Sequence, residues 1–159
     1  MGKKKRSFRL GSFRNCFATA AYRAGAYVVG ELIALYDGDC GLCQAFVSRL
    51  ARHNAKGAGL AFRASQLLDD LELEAFGIAR CSCESEFILV DNLRKTVIAR
   101  GAEAINQTLI HTGHPLSFIA STIPRVGPLA WIEAYCYRVV ARNRRWISQR
   151  MGLRACVLR

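Results

Sequence analysis

Cys40 and Cys43 stand two residues apart in "LIALYDGDCGLCQAFVSRLARHN", Leu32 to Asn54, between an apolar run and a helix-like pattern. Cysteines at this spacing support two chemistries: dithiol–disulfide exchange, or half of a metal site. Exchange needs one sulfur as a thiolate and a second within its reach. Cys40 is expected in the turn leaving a strand, at a helix N-terminus, where unpaired N–H groups and the helix dipole favour an anion. Cys43, about one helical turn further on, can reach the same sulfur. Cys40 therefore reads as the nucleophile and Cys43 as the resolving thiol. A C-x-x-C alone is a moderate signal; between a strand and a helix it is considerably stronger.

The residues just before the dithiol bear on its acidity. A carboxylate at Asp39 disfavours a second negative charge beside it and should oppose the helix dipole. Asp37 is suited to accept backbone N–H bonds in the turn, with Gly38 permitting the tight conformation. The net expectation is a modestly lowered thiol pKa and a reducing couple.

A metal site would need more ligands. "RCSCESE" supplies Cys81 and Cys83, and four thiolates from Cys40, Cys43, Cys81 and Cys83 would match a structural zinc site in type. C-x-C is a less usual ligand spacing, however, and a long separation divides the pairs. Cys81 and Cys83 could also be an auxiliary redox pair or plain loop residues. His53, His111 and His114 are available, but nothing in their spacing places them near Cys40. Cys136 reads as a small core residue, whereas Cys16 and Cys156 have no role that spacing assigns.

The elements that must hold the dithiol follow from periodicity. "LIALY" suits a strand buried on both faces. Leu42, Phe46, Val47 and Leu50 recur at helical spacing until Gly57 supplies a stop. "LAFR", 60–63, is a second strand, and Ser65 is expected to cap a helix "QLLDDLELEAF" that ends at Gly77. "EFILVD" and "KTVIAR" flank "NLR" as a hairpin, and "GAEAINQTLIHTG" follows as a helix. The order β-α-β-α-β-β-α, with a parallel pair and an antiparallel hairpin, predicts an α/β, thioredoxin-like core around a mixed four-stranded sheet. Beyond it, "LAWIEAYCYRVVARNRRWISQRMG" predicts an amphipathic C-terminal helix within a helical extension of about 115–151. Its stripe of Leu129, Ile132, Cys136, Val139, Val140 and Ile147 is expected to pack on the domain, with Arg138, Arg142, Arg145 and Gln149 outward.

The formal charge of +11 belongs to the ends of the chain. Residues 1–30 carry seven Lys/Arg and no acid, residues 133–159 seven Arg against Glu133 alone, and the middle is slightly acidic. Residues 1–30 read as a basic mobile extension to a domain over 31–159. The basic ends could touch a membrane surface, and no specific nucleic-acid partner is expected. Seven cysteines without an export signal point to a reducing compartment. The expected location is the cytoplasm, or an organelle (mitochondrion or plastid) if residues 1–30 are a transit segment.

"YDGDCGLC" at 36–43 resembles the signature of the DCC family of thiol–disulfide oxidoreductases, D-G-x-C-x-x-C after a strand, with Asp37, Gly38, Cys40 and Cys43 matching residue by residue. "AYCYRVVARNRRW", 134–146, is similar to the family's C-terminal helix, and "RGAEAI", 100–105, resembles the opening of its third helix. The likeness spans roughly 32–156, and by it Cys156 sits where members often carry a cysteine. "NRRW" departs from the pattern by one missing residue. The resemblance implies a thioredoxin-like fold and dithiol exchange at the motif cysteines. Thioredoxins themselves place a cis-proline before the third strand, where this chain has Glu84, Ser85 and Glu86. They also carry Gly-Pro between the cysteines, where this chain has Gly41-Leu42.

Residues and resemblance converge on a thiol–disulfide oxidoreductase that needs no bound cofactor. Its partners would be a protein or small-molecule disulfide and a reductant that recycles the dithiol. The rival reading is a non-enzymatic zinc-binding or redox-sensing adaptor that uses the cysteines as ligands. Oligomeric state is not encoded legibly.

Overall fold

The computed structural model describes residues 31–54, 59–123, 126–153 and 155. The basic extension over 1–30, Gly57, Cys16 and Cys156 lie outside the described residues. Strand β1 (Leu32–Tyr36) leads into α1 (Gly41–His53) and then β2 (Leu60–Ala64). A 3-10 turn (Ser65–Leu67), α2 (Asp70–Ala75) and α3 (Arg80–Ser85) connect to the hairpin of β3 (Ile88–Asp91) and β4 (Thr96–Arg100). Helices α4 (Gly101–His111), α5 (Ser117–Thr122) and α6 (Gly127–Arg150) complete the described chain.

The sheet is mixed and four-stranded, ordered β2-β1-β3-β4, as expected for a thioredoxin-like α/β domain. β1 pairs in parallel with β2, Leu32 opposite Leu60, and antiparallel with β3, Leu32 opposite Asp91. Being central, β1 is apolar on both sides. Ile33 and Leu35 pack with Leu73, Phe76, Ile78, Cys83 and Val90 on one face. Ala34 packs with Val47, Phe87, Leu89 and Ala104 on the other. This two-sided burial, beneath α1 and α4 on one face and α2 and α3 on the other, anchors the strand whose end carries the dithiol turn.

Three local expectations differ from what is observed. Ser65 does not cap a long helix: it is buried in the 3-10 turn, and Asp69 caps the shorter α2 by accepting the Glu72 N–H at 2.7 Å. Asp69 with Glu72 three residues on is the stronger start signal, because the carboxylate also meets the helix dipole. Secondly, "RCSCES" is a helix, α3, whose Cys83 joins the core. The third difference concerns α6. Most of the stripe expected to pack faces outward: Leu129, Ile132, Cys136 and Val139 are exposed, whereas Ile147 is half-buried and the half-exposed Val140 borders a cavity against α1. The face against the domain is Ala130, Glu133, Tyr137, Ala141, Arg144 and Ser148. Small residues let the helix approach closely, and the long polar ones reach inward to groups that need partners.

Tyr137 shows why. Its ring lies over Gly101, where a Cβ would stand 3.1 Å from Cε1, and Gly101 has φ +61°, a region that glycine enters at little cost. The Tyr137 hydroxyl accepts the Phe87 N–H at 2.9 Å, at the foot of β3. Among the described residues no helix is long and apolar enough to cross a membrane.

Tyr137→Phe strands a half-buried backbone donor. The expected loss is about 1–3 kcal/mol, read as a lower midpoint in urea unfolding with an unchanged slope.

Candidate functional site

The dithiol lies where β1 ends and α1 begins. Asp37, Gly38, Asp39 and Cys40 form a tight turn in which the Cys40 N–H donates to the Asp37 carbonyl at 3.3 Å. Cys40 is the N-cap of α1, in extended conformation, and its Sγ accepts the Cys43 N–H at 3.4 Å. That contact is the local reason for the spacing. A residue three positions past the cap presents its N–H to the cap side chain, so a sulfur at position 40 takes the place usually held by a Ser or Asp oxygen.

The turn is held by residues distant in sequence. Gln66, in the 3-10 turn after β2, accepts the Gly38 N–H at 2.8 Å and donates to Asp37 Oδ1 at 2.8 Å. Asp37 Oδ1 also accepts the Asp39 N–H at 3.0 Å. Gln44 reaches back from α1 to donate to the Gly38 carbonyl. The Asp39 side chain is turned to solvent and takes no part in this network.

Asp37 is 3% exposed, and a bare carboxylate there would be costly. Its Oδ2 makes no directional hydrogen bond; the compensation is the Arg144 guanidinium of α6 at 2.8 Å, itself largely buried. Removing one partner of such a pair is far more damaging than the pair's net worth, because the other charge is left alone. Arg144 was not legible as a site residue, since nothing in its helix pattern sets it apart from Arg142 or Arg145.

The charges act on the sulfurs. The Cys40 thiol is lowered from 9.0 to about 6, first by a hydrogen bond from the Cys43 side chain, against the opposing cost of burial. The Cys43 N–H and the positive charge of Arg144 lower it further, and Asp37 opposes them. Cys43 is pushed strongly up, first by donating its proton to Cys40, then by burial and by the Cys40 charge. The two shifts run in opposite directions, which makes Cys40 the more acidic sulfur and Cys43 its hydrogen-bond donor. A carboxylate that opposes the Cys40 charge is the buried Asp37.

Cys40 is only 1% exposed. Next to it, Gly41 abuts the turn after α6: a Cβ on Gly41 would collide with the Leu153 carbonyl oxygen and stand 2.7 Å from Ser148 Oγ. Ser148 secures that turn by donating to the Leu153 carbonyl at 2.7 Å. On the other side, a cavity of about 230 Å3 opens beside Cys43 between α1, α4 and α6. A wider groove of about 520 Å3 runs along Arg138, Arg142 and Arg145 but touches neither cysteine, so the smaller cavity is the one the dithiol can use.

The four-thiolate alternative is corrected by the fold. Cys83 is in the core below the sheet, its thiol pushed up by burial, and Cys81 is exposed on the same short helix. Among the described residues no group of three His, Cys, Asp or Glu side chains could hold a metal ion. His53 and His114 do meet, ring centroids 4.6 Å apart, but no third ligand joins them.

The family model of DCC1-like thiol-disulfide oxidoreductases matches residues 34–150, from the centre of β1 to the last residue of α6. The chain belongs to this family. The match takes in the dithiol turn and Arg144 alike, and gives the protein a redox role as its general assignment. No curated protein and no solved structure matches the chain.

Thiolate absorbance in the ultraviolet should titrate with a midpoint near pH 6. Because the folded value lies below the ordinary 9.0, the stability this group contributes is complete above pH 9.0 and is lost as pH falls through about 6. Arg144→Met should move the midpoint upward and destabilise the fold by about 3–5 kcal/mol. An unmoved midpoint would remove Arg144 from the electrostatics of the thiol.

Proposed function

We propose that this protein exchanges disulfides through Cys40 and Cys43, with Cys40 as nucleophile and Cys43 as resolving thiol. The observation that carries the reading is the hydrogen-bonded pair itself: a thiolate at a helix N-cap with a protonated thiol as its donor. That is a dithiol poised for sequential attack.

In the first step the Cys40 thiolate attacks one sulfur of the substrate disulfide. The substrate S–S bond breaks, and the departing sulfur leaves as a thiolate that takes a proton from water. Cys40 is now uncharged in a mixed disulfide, so both the hydrogen bond and the charge that held the Cys43 proton are gone. Burial and the Asp37 charge still oppose its ionisation, the Arg144 charge favours it, and Cys43 releases its proton to solvent. The Cys43 thiolate then attacks Cys40 Sγ and expels the second substrate thiolate. Two electrons have passed from the dithiol to the substrate, and a thiol reductant must return them. The covered position of Cys40 requires a local opening before the first step; the turn over Gly41, tied by Ser148, is the nearest element that can yield.

The Asp37–Arg144 pair supports this reading because the guanidinium offsets the buried carboxylate beside Cys40, which leaves the hydrogen bond from the Cys43 side chain as the leading influence on its acidity. The zinc-adaptor alternative has no observation in its favour among the described residues.

The test is equilibration of the protein in thiol–disulfide buffers. A single two-electron couple should appear between about −270 mV, typical of thioredoxin, and about −120 mV, typical of the most oxidising thioredoxin-like proteins. It should vanish in Cys43→Ser. If no Cys40–Cys43 disulfide forms across that range, the exchange reading is wrong.

A further inference from the structure

The cavity beside Cys43 has an unusual lining for a site next to a thiolate. Leu42 and Phe46 of α1, Phe87 at the foot of β3, Ile105 of α4, and Val140 and Ala141 of α6 supply its walls. The polar groups at its margin already have partners. Asp37 faces Arg144 at 2.8 Å, Glu86 accepts from Arg100 at 3.0 Å, and the Tyr137 hydroxyl accepts the Phe87 N–H at 2.9 Å. A charged guest would meet carboxylates and a guanidinium already paired with other groups and would lose its hydration, whereas an apolar one meets the walls.

Size narrows the choice. About 230 Å3 is below the ~300–1,000 Å3 usual for sites that enclose a whole small-molecule ligand. It is room for one large apolar side chain. Backbone hydrogen bonding offers no rival anchor at Phe87, an interior position beside β3 whose N–H is already taken by Tyr137. Recognition by a side chain in the cavity does not need that donor.

We infer that the cavity is a specificity pocket, and that the substrate is a peptide or protein disulfide whose cysteine is flanked by a large apolar residue lodged there. The inference rests on the exchange reading above. The lodged side chain anchors the substrate at the dithiol while its disulfide sulfur meets Cys40. The chemistry is unchanged: the dithiol gives up two electrons, the peptide disulfide becomes two thiols, and a thiol reductant restores the dithiol.

The experiment is a single-turnover reaction of the fully reduced protein with short disulfide-linked peptides that differ only beside the cysteine: Leu, Phe, Asn or Asp. The Leu and Phe peptides should react on the order of tenfold faster or more than the Asn and Asp peptides, the discrimination that an apolar pocket can supply. Ala141→Leu, which fills the cavity, should erase the preference by slowing only the apolar pair. Val140→Phe, at a half-exposed position on the rim, serves the same purpose if Ala141→Leu does not fold. Equal rates for all four peptides, or a preference that survives the filled cavity, would overturn the pocket while leaving the exchange reading intact. Failure to reduce any of the peptides, with no disulfide formed in the protein, sinks the exchange reading itself.

Discussion

A buried carboxylate in the dithiol turn needs a counter-charge, and the need is met from the far end of the chain. Asp37 has two hydrogen bonds on one oxygen and only the Arg144 guanidinium facing the other. In water such a pair would contribute little. Where both partners are covered, each becomes the condition for the other's burial. The path of α6 follows from that requirement: it lies across the dithiol end of the sheet with Arg144 inward, Tyr137 on Gly101, and its last turn against Gly41. The walls of the cavity beside Cys43 are a by-product of the same placement.

The acidity of the dithiol divides between near and far causes. The near ones, the Cys43 N–H and S–H, come from helix geometry and from the three-residue spacing. The far one, Arg144, offsets a repulsion that the Asp37 carboxylate would otherwise exert. A chain with the motif but without the ion pair would keep the helix contribution while losing the balance around the turn.

What could be read in the sequence was what is local. β1, α1 and the hairpin are encoded by apolar runs, a 3.6-residue period and turn residues within a few positions, and the dithiol's place at a strand–helix junction followed from them. Gln66, Tyr137 and Arg144 could not be read, because each serves the site across a long sequence separation and resembles its neighbours in type. The α6 periodicity misled for a physical reason. An apolar stripe is evidence of packing only when the opposite face has nothing stronger to offer, and here close approach over Gly101 and a buried counter-charge outweigh Leu129, Ile132 and Val139. The Ser65 cap failed more simply, against a better acidic cap four residues on.

The ion pair also sets an order of assembly. The sheet and α1 are complete once residue 100 is in place, so a chain emerging from synthesis can build the strand, the turn and both cysteines early. Arg144 is delivered only with the last helix. Until then the turn carries a carboxylate without its counter-charge, and the cysteines sit in a half-built environment. The final helix thus acts as a licence for the chemistry: a chain halted ahead of it would possess the motif, and much of the fold, but not a finished redox centre.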